Sequence, residues 1–291
     1  MINFHVPTRA LITGSEGQLA KEFIRVLQLS CKLICLNKTT LDITEREKVF
    51  EAVAAYRPEV IFNCAAYNYV DKAEEDFETA VKVNAEGVKN LAQACKRHGV
   101  LLVHYSTDGV FNGRKEDFYS EEDETDPISN YGKSKLLGEE FLREETDEYL
   151  LLRTSWVFGE GTQNFRFKLR KWSQNKRVLK VVCDQISVPT YTEDIVKYTL
   201  LALKKKLRGL YNLTNSGYAS RYEFARYFFR KMDINTLILP ATEKDFPCLA
   251  KRPFFSAMSN AKISKALKTD IPDWQDAVDR FVKRFGKIWK K

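Results

Sequence analysis

The stretch Thr13-Gly14-Ser15-Glu16-Gly17-Gln18-Leu19-Ala20 links an apolar, strand-like run at residues 10–13 to an amphipathic helical pattern at residues 18–29. Glycines at positions 14 and 17 permit a tight turn and bring the backbone close to a pyrophosphate at the helix N-terminus. The small side chain of Ala20 lets the helix pack closely on the strand. A glycine pattern alone is weak, but here it stands between a strand and a helix, as required. The stretch therefore predicts a dinucleotide-binding turn.

The first two thirds of the chain repeat the same alternation of strand and helix. Short apolar runs that alternate with amphipathic helices predict a parallel sheet covered on both faces. This pattern indicates an α/β, Rossmann-type doubly wound fold. Thr44, with Glu47 three residues later, is predicted to cap one helix. The predicted strands are residues 10–13, 32–36, 60–64, 101–106 and 149–155, and the predicted helices are residues 18–29, 45–56, 80–98 and 130–144.

The alternation loosens after residue 156. Residues 180–183 and 210–213 still have strand character, and residues 194–205, 221–232 and 274–285 have helical character. Prolines 240, 247, 253 and 272 predict irregular segments between them. We expect a dinucleotide-binding Rossmann domain at residues 1–156, to which part of residues 178–210 returns. Residues 157–291 are then mainly a smaller, interleaved C-terminal substrate-binding lobe.

Composition narrows the class of protein. The 291 residues are 44% hydrophobic and 30% charged, which is an ordinary globular balance. No apolar run is long enough for a membrane span, and residues 1–5 lack signal-peptide features. Six cysteines without C-x-x-C spacing predict small core residues in a reducing, cytoplasmic compartment. The net charge of +8 comes from dispersed lysines without a nucleic-acid motif, so no nucleic-acid partner is expected.

The ends of the second and third predicted strands suggest which dinucleotide binds. Asn37-Lys38 lacks the acidic residue that holds a ribose 2′-hydroxyl, and Lys38 could attract a 2′-phosphate. This favours NADPH but leaves NADH open. Asp42 is a candidate for the adenine side, although helix capping explains it nearly as well. Ala65 and Ala66 are small enough for the cofactor to pass close to the backbone.

A candidate catalytic group follows the fourth predicted strand. Tyr131 and Lys135 are at i and i+4, so both side chains project from one face of a helix. A nearby ammonium should lower the pKa of the phenol and assist proton transfer to a carbonyl. The hydroxyl of Thr107 could hold the substrate oxygen. Together these three residues predict carbonyl reduction by hydride and proton transfer.

These motifs resemble the extended short-chain dehydrogenase/reductase family, and within it the dTDP-4-dehydrorhamnose reductases. The resemblance covers nearly the whole chain. Its most discriminating motifs are Asp184-Gln185, Pro189-Thr190, and Arg252-Pro253 together with Ser256. The other pieces are residues 13–19, 41–44, 63–74, 106–113, 131–135 and 153–159.

The resemblance implies NAD(P)H-dependent reduction of the 4-keto group of dTDP-6-deoxy-L-lyxo-4-hexulose to dTDP-L-rhamnose. It assigns catalysis to Thr107, Asp108, Tyr131 and Lys135, and substrate contacts to Asn68, Val70, Asp108, Trp156 and Arg252. For Trp156, core packing is an equally good explanation, and Arg252 would clamp the diphosphate. The expected cofactor-binding residues are Gly14, Glu16, Gly17, Gln18, Leu19, Asn37, Lys38, Asp42, Ile43, Ala65, Ala66, Tyr67, Ser106, Tyr131 and Lys135.

The chain also departs from this family. Gly109 stands where tyrosine is usual and Asn68 where threonine is usual, which would alter the wall around the sugar. Some members dimerise through a magnesium ion held by glutamates. Glu22 and Glu193 match two of those positions, but the third has no counterpart, so we predict no metal site and leave a homodimer open.

Two other functions fit the same motifs. One is an epimerase or reductase acting on another nucleotide-linked 4-keto-deoxysugar. The other is a non-catalytic NADP-binding regulatory subunit, similar to that of methionine adenosyltransferase. In that subunit the Thr-Asp pair at the end of the fourth strand is replaced by other residues. Here the pair is present as Thr107-Asp108, which favours an enzyme.

Overall fold

A computed structural model describes residues 7–162 and 164–289 of the chain. Its centre is a six-stranded parallel sheet with the predicted doubly wound architecture. The strands are β1 (Arg9–Thr13), β2 (Lys32–Leu36), β3 (Val60–Asn63), β4 (Leu101–Thr107), β5 (Tyr149–Thr154), β6 (Val157–Phe158), β7 (Val178–Val182), β8 (Ile186–Ser187), β9 (Thr190–Tyr191), β10 (Gly209–Asn212), β11 (Ala219–Ser220) and β12 (Leu237–Ala241). The central sheet has the order β10-β5-β4-β3-β1-β2, so the strand order reverses between β1 and β3: β2 is added on one side of β1, and β3 and the later strands on the other. A crevice at such a reversal, beyond the carboxyl ends of the strands, is where ligands bind in doubly wound folds.

The helices cover both faces of this sheet and also build a separate C-terminal cluster. They are α1 (Gln18–Leu27), α2 (Arg46–Tyr56), α3 (Lys72–Glu75), α4 (Phe77–Val81), α5 (Gly87–His98), α6 (Asn130–Glu145), α7 (Phe165–Ser173), α8 (Thr192–Lys204), α9 (Arg221–Met232), α10 (Ala261–Leu267) and α11 (Trp274–Trp289). Two short 3₁₀ turns lie at Asp108–Val110 and Glu243–Asp245.

The three largest of the four apolar clusters among the described residues hold these layers together. Side chains of α1, α8 and α10 pack on one face of the sheet, and side chains of α2, α5 and α6 pack on the other. The third cluster joins α7, α9 and α11 with β7 and β12, which pair with each other and not with the central sheet. After residue 156 the chain therefore alternates between the central sheet, through α8, β10 and α10, and the C-terminal cluster.

The helix predicted at residues 80–98 is interrupted. A π-helical turn, Lys82–Glu86, separates α4 from α5 and contains Asn84. The Asn84 side chain accepts from Tyr67 N at 2.8 Å, and donates to Tyr67 O and to Ser134 Oγ, each at 3.0 Å. Turns of this kind are frequent at functional sites, since they re-aim one side chain. Here the turn ties the segment after β3 to helix α6.

Several smaller predictions were wrong. Thr44 does not cap a helix, because its N–H and hydroxyl both donate to Asp42 Oδ1 and α2 begins two residues later. Pro240 lies in strand β12 and not in an irregular segment, and helix α10 was not predicted. Cys35 and Cys248 are exposed and are not core residues.

Within residues 7–162 and 164–289, no helix has both the length and the apolar character needed to cross a membrane. Residues 1–5, on which the expectation of no signal peptide rests, lie outside the described residues.

Candidate active site

The glycine turn lies where the carboxyl ends of β1, β2 and β3 meet. Ser15 N donates to Leu36 O at 3.1 Å, which joins the turn to the end of β2. Gly14 has φ of +61°, and a Cβ there would lie 2.7 Å from Ala65 Cα after β3. Only glycine fits this left-handed position against the neighbouring backbone. The turn is therefore held open beside three strand ends, in the form that accommodates a pyrophosphate.

Several predicted cofactor residues hold the rim of this crevice. Asn37 Nδ2 donates to Glu16 Oε1 at 3.0 Å, which links the turn to the end of β2. The Gln18 amide donates to Val157 O at 3.1 Å, and its oxygen accepts from Asn164 at 2.9 Å. Lys38 is exposed beside Asn37. The hydrogen bonds of Glu16, Gln18 and Asn37 thus hold the loops around the crevice in place. The charge of Lys38 faces solvent at the edge of the crevice.

The other members of the predicted cofactor set differ in exposure. Asp42 is used in the turn before α2, as described above, and Ile43 is buried. Gly17 is exposed, whereas Leu19, Ala65, Ala66 and Tyr67 are half-buried around the crevice. Ser106, at the end of β4, has a buried hydroxyl without a hydrogen-bond partner among the described residues. The cradle at Gly14 and this unpaired hydroxyl both fit a bound dinucleotide.

Thr107 and Tyr131 come together because α6 begins directly against the turn after β4. Ser129 caps α6 by accepting from Gly132 N at 3.1 Å. A side chain at Gly132 would collide with the carbonyl oxygen of Gly109, so glycine permits this close approach. The phenol of Tyr131 lies near Thr107, whose hydroxyl influences its pKa, and donates to Asn68 Oδ1 at 3.4 Å. Two of the predicted catalytic groups therefore lie beside each other at the end of β4.

Lys135 occupies the next turn of the same face of α6. Its Nζ is buried and donates to Tyr105 O at 2.6 Å. Burial lowers the pKa of Lys135 to about 8, although Glu139 opposes this. Burial also raises the pKa of Tyr131 to about 12, although the neighbouring Thr107 hydroxyl opposes this. The prediction that Lys135 lowers the pKa of the Tyr131 phenol was therefore wrong. Tyr131 is a neutral proton donor in this structure.

Asp108 connects the end of β4 to the C-terminal part of the chain. Its Oδ2 accepts from Ser187 Oγ and from Ser256 Oγ, each at 2.6 Å, and its Oδ1 accepts from Thr107 at 3.1 Å. Burial raises the pKa of Asp108, while these three hydroxyls lower it. Asp108 thus supports Thr107 from inside the protein. Ser187 was missed by sequence reasoning, and Ser256 had been noted only as part of a motif.

Arg252 approaches the predicted sugar-binding segment, Asn68 to Val70, from the C-terminal part. Arg252 donates to Asp71 Oδ2 at 3.0 Å and to Ala250 O at 3.1 Å, and Ala250 N donates to Asp71 Oδ1 at 3.2 Å. Asn68 is exposed and Val70 is half-buried. The ion pair places a guanidinium beside this segment with part of its charge already compensated.

Trp156 lines a cleft in the C-terminal part and has φ of +39°. This conformation is strained for a bulky residue, and such strain concentrates at functional sites. The guanidinium of Arg221 lies 4.4 Å from the centre of the Trp156 ring and 5.0 Å from that of Phe165. The cleft has a volume of about 110 Å³ and is lined by Trp156, Val157, Phe158, Phe165, Arg166, Pro189, Arg221 and Phe224.

Arg221 was missed by sequence reasoning. Burial and the nearby charge of Arg252 lower its pKa to about 10, while Asp108 opposes them. Arg221 is the first residue of α9, directly after the capping residue Ser220. A cation is unfavourable at a helix N-terminus, so this position was a usable signal for a ligand-binding charge.

Glu22 and Glu193, which match two magnesium-binding positions of the family, are paired with guanidinium groups. Arg284 Nη1 lies 3.2 Å from Glu22 Oε1 and 3.4 Å from Glu193 Oε2, and Arg280 Nη1 lies 2.7 Å from Glu193 Oε1. Residues 7–162 and 164–289 contain no group of three or more side chains suited to a metal ion. Positive side chains stand where a cation would bind, so these residues do not fit magnesium.

Comparison with known proteins agrees with this geometry. Residues 8–287 match the family described as the RmlD substrate binding domain. The chain is 38% identical over 260 residues to the spore coat polysaccharide biosynthesis protein SpsK of Bacillus subtilis, with 89% of this chain and 92% of SpsK covered. It is 37% identical over 284 residues to the dTDP-4-dehydrorhamnose reductase of Aggregatibacter actinomycetemcomitans, with 93% and 97% covered.

The solved structure of a relative has the same fold over nearly the whole chain. The dTDP-4-dehydrorhamnose reductase of Bacillus anthracis, in complex with NADP, superposes with a TM-score of 0.93 at 33% identity. The superposition covers 96% of this chain and 99% of that one. The chain therefore belongs to the RmlD family, the family of the dTDP-4-dehydrorhamnose reductases.

Proposed function

We propose that this protein reduces the 4-keto group of dTDP-6-deoxy-L-lyxo-4-hexulose with NADPH and so forms dTDP-L-rhamnose. One observation carries the proposal: Thr107 and the neutral phenol of Tyr131 lie side by side next to Gly109, beside the dinucleotide crevice. The named activity of relatives that align over nearly the whole chain supports the same substrate and product.

In this proposal the side chains divide the work around the ketone oxygen. When substrate binds, the Thr107 hydroxyl turns away from Asp108 Oδ1, donates its hydrogen bond to the ketone oxygen and orients the carbonyl. NADPH, when bound, supplies the hydride. Tyr131 then gives its proton to the oxygen as negative charge develops there, the task of a general acid. The buried Lys135 lies one helical turn further along and supports the charge left on the phenol.

The preference for NADPH rests on the end of β2. Lys38 is exposed at the rim of the crevice, where its charge can attract a ribose 2′-phosphate, and the residues that directly follow β2 are Asn37 and Lys38 and not an acidic residue. A solved relative was determined with NADP. We expect NADPH to be used with a higher kcat/KM than NADH, as measured in parallel assays with the same substrate.

On the substrate side we assign the diphosphate to Arg221 and Arg252. The Arg221 guanidinium contacts aromatic rings and not a carboxylate within the described part of the chain, so its charge is available to a ligand. Two guanidinium groups close enough to lower a pKa are stabilised when an anion binds between them. Asn68, Val70 and Trp156 would then border the sugar.

A second candidate is reduction of another nucleotide-linked 4-keto-6-deoxysugar. Gly109 has no side chain where tyrosine is usual, so the space that such a ring would take is left to the substrate. A Cβ at this position would be in ordinary contact with Thr107, at 3.4 Å, and with Tyr131, at 3.8 Å. The relative SpsK is named for spore coat polysaccharide synthesis and not for rhamnose. This space could admit a sugar of different shape.

The decisive experiment measures NADPH and NADH oxidation with a panel of dTDP-, UDP- and GDP-linked 4-keto-6-deoxyhexoses. The proposal expects the highest kcat/KM with dTDP-6-deoxy-L-lyxo-4-hexulose, and dTDP-L-rhamnose as product by NMR. Higher activity with another keto-sugar would favour the second candidate. Product formation without net NADPH oxidation would indicate an epimerase, and no turnover with any sugar would indicate a regulatory subunit.

We also infer a cytoplasmic location for this activity. The six cysteines are all unpaired, and two of them, Cys35 and Cys248, are exposed. Exposed thiols of this kind suit a reducing compartment. Fractionation of cells that produce the protein tests this inference.

A further inference from the structure

A chain of buried polar side chains connects the glycine turn to Lys135. It begins at Thr13 on β1, passes through Asn63 on β3 and His104 on β4, and ends at Lys135 on α6. Thr13 Oγ1 lies 2.6 Å from Asn63 Oδ1, Asn63 Nδ2 lies 3.0 Å from His104 Nδ1, and His104 Nε2 lies 3.4 Å from Lys135 Nζ. The exposed fractions of all four residues lie between 0% and 2%, so water does not compete for these contacts.

The direction of the amide of Asn63 fixes the position of the proton on His104. The backbone N–H of Ala65 donates to Asn63 at 3.2 Å. Because a backbone N–H can only donate, the atom that it meets must be the amide oxygen. The amide nitrogen therefore faces His104 and donates to Nδ1, which cannot carry a proton. Neutral histidine has a single N–H, which must then be on Nε2.

His104 is in the neutral form. Burial lowers the pKa of His104 well below its ordinary value, and the charge of Lys135 lowers it further. The single proton on Nε2 therefore points at Lys135 Nζ, which already donates to Tyr105 O.

This arrangement opposes the charged form of Lys135. An ammonium has three N–H groups and no lone pair, so it cannot accept the His104 N–H, whereas an uncharged amine can. On α6 itself, Tyr131 precedes Lys135 by one turn and Glu139 follows it by one turn, and the charge of Glu139 acts on Lys135. Glu139 favours the charged form, but it is itself paired with Arg153 at 2.7 Å.

We propose that His104 is a positioning residue whose Nε2–H, directed by Asn63, makes the ammonium of Lys135 a ready proton donor. The role rests on the proposed reductase function. In each turnover the Tyr131 O–H bond breaks as the sugar O–H bond forms. Lys135 then loses one N–H proton towards the phenolate and accepts the hydrogen bond of His104. A proton from solvent restores the ammonium before the next turnover.

Two matched variants separate the two nitrogens of His104. In His104→Asn the amide oxygen can replace Nδ1 as the acceptor for Asn63, but the side chain is too short to reach Lys135. In His104→Gln the terminal amide can still present an N–H to Lys135. His98→Asn, on the exposed end of α5, is the control.

The measured quantity is the dependence of kcat for NADPH oxidation on pH. On the alkaline limb of this profile, kcat falls because Lys135 has lost its proton. We expect this limb to move to higher pH by about 0.5 to 1 unit in His104→Asn, the equivalent of one neutral hydrogen bond. The limb should stay near its original position in His104→Gln and His98→Asn. Equal limbs in the Asn and Gln variants, shifted or not, would overturn the proposal.

Nuclear magnetic resonance tests the same idea without turnover. The chain has three histidines, so a ¹⁵N-histidine spectrum is simple, and the His104 variants assign the signal. We expect His104 to be neutral with hydrogen on Nε2, and a ¹³Cε titration of Lys135 to show the same shift in His104→Asn. Hydrogen on Nδ1, or an unchanged titration, contradicts the proposal. An enzyme that is inactive with every keto-sugar contradicts only the proposed function.

Discussion

At the scale of single residues, the protonation states at the site agree with the direction of the reaction. Reduction of a ketone needs a proton donor, and a phenol with a pKa of about 12 is fully protonated at neutral pH. A lysine with a pKa of about 8 exchanges its proton far more easily. The two groups thus divide the work, since one holds a proton and the other replaces it.

Tyr131→Phe should lower kcat by about 10²–10⁴-fold, because the ring keeps its packing but loses its proton. The Kd of NADPH, measured by fluorescence titration, should change little. Tyr56→Phe is the matched control, since this tyrosine at the end of α2 is 43% exposed and has no role in the proposed mechanism. A variant at position 131 that retains most of its turnover would show that another group is the acid.

Arg221→Met should weaken binding of dTDP by about 10–100-fold, as expected for lost hydrogen bonds to a charged group. Methionine keeps the apolar contact with Trp156 and Phe165, so the loss reports on charge. Calorimetry with dTDP measures the effect, and the Kd of NADPH should stay constant. Arg226→Met, on the exposed face of the same helix, should bind dTDP normally. Equal affinities in both variants would remove Arg221 from the diphosphate site.

At the scale of elements, the sequence predicted the strands of the central sheet well but missed the π-helical turn. Apolar runs mark buried parallel strands directly, because both faces of the sheet are covered. The turn at Lys82–Glu86 adds one residue to a helix without changing its composition, so periodicity could not reveal it. Asn84 has its partners, Tyr67 and Ser134, far away in sequence, and only the folded chain brings them together.

Gly132→Ala should both destabilise the protein and slow catalysis. The added methyl group would collide with the Gly109 carbonyl, so the first turn of α6 must move away from the end of β4. Such overpacking costs about 1–3 kcal/mol, which urea denaturation can measure. Displacement of Tyr131 from Thr107 should lower kcat at the same time. Lys133→Ala, exposed on the same turn, should change neither quantity, and normal turnover in Gly132→Ala would mean that the close approach is unnecessary.

At the scale of the whole molecule, the site depends on contacts that no local pattern encodes. The sequence predicted Thr107, Tyr131 and Lys135, because a strand end and an i, i+4 spacing are local signals. It could not predict that the Asp108 carboxylate would accept hydrogen bonds from Ser187 and Ser256. These serines are 79 and 148 residues away along the chain. The chain returns to the sheet repeatedly, and those returns assemble the wall of the site.

The shared carboxylate makes a double-mutant cycle the sharpest test of this coupling. Ser187→Ala and Ser256→Ala each remove one donor to Asp108 Oδ2, and each should cost about 1–3 kcal/mol in the free energy of unfolding. Because both hydroxyls serve one oxygen, their effects should not add, with an interaction energy of at least about 0.5 kcal/mol. Urea denaturation of the two single variants and the double variant measures it. Strict additivity would mean that the two serines stabilise the fold independently. In that case Asp108 would not connect the end of β4 to the C-terminal part of the chain.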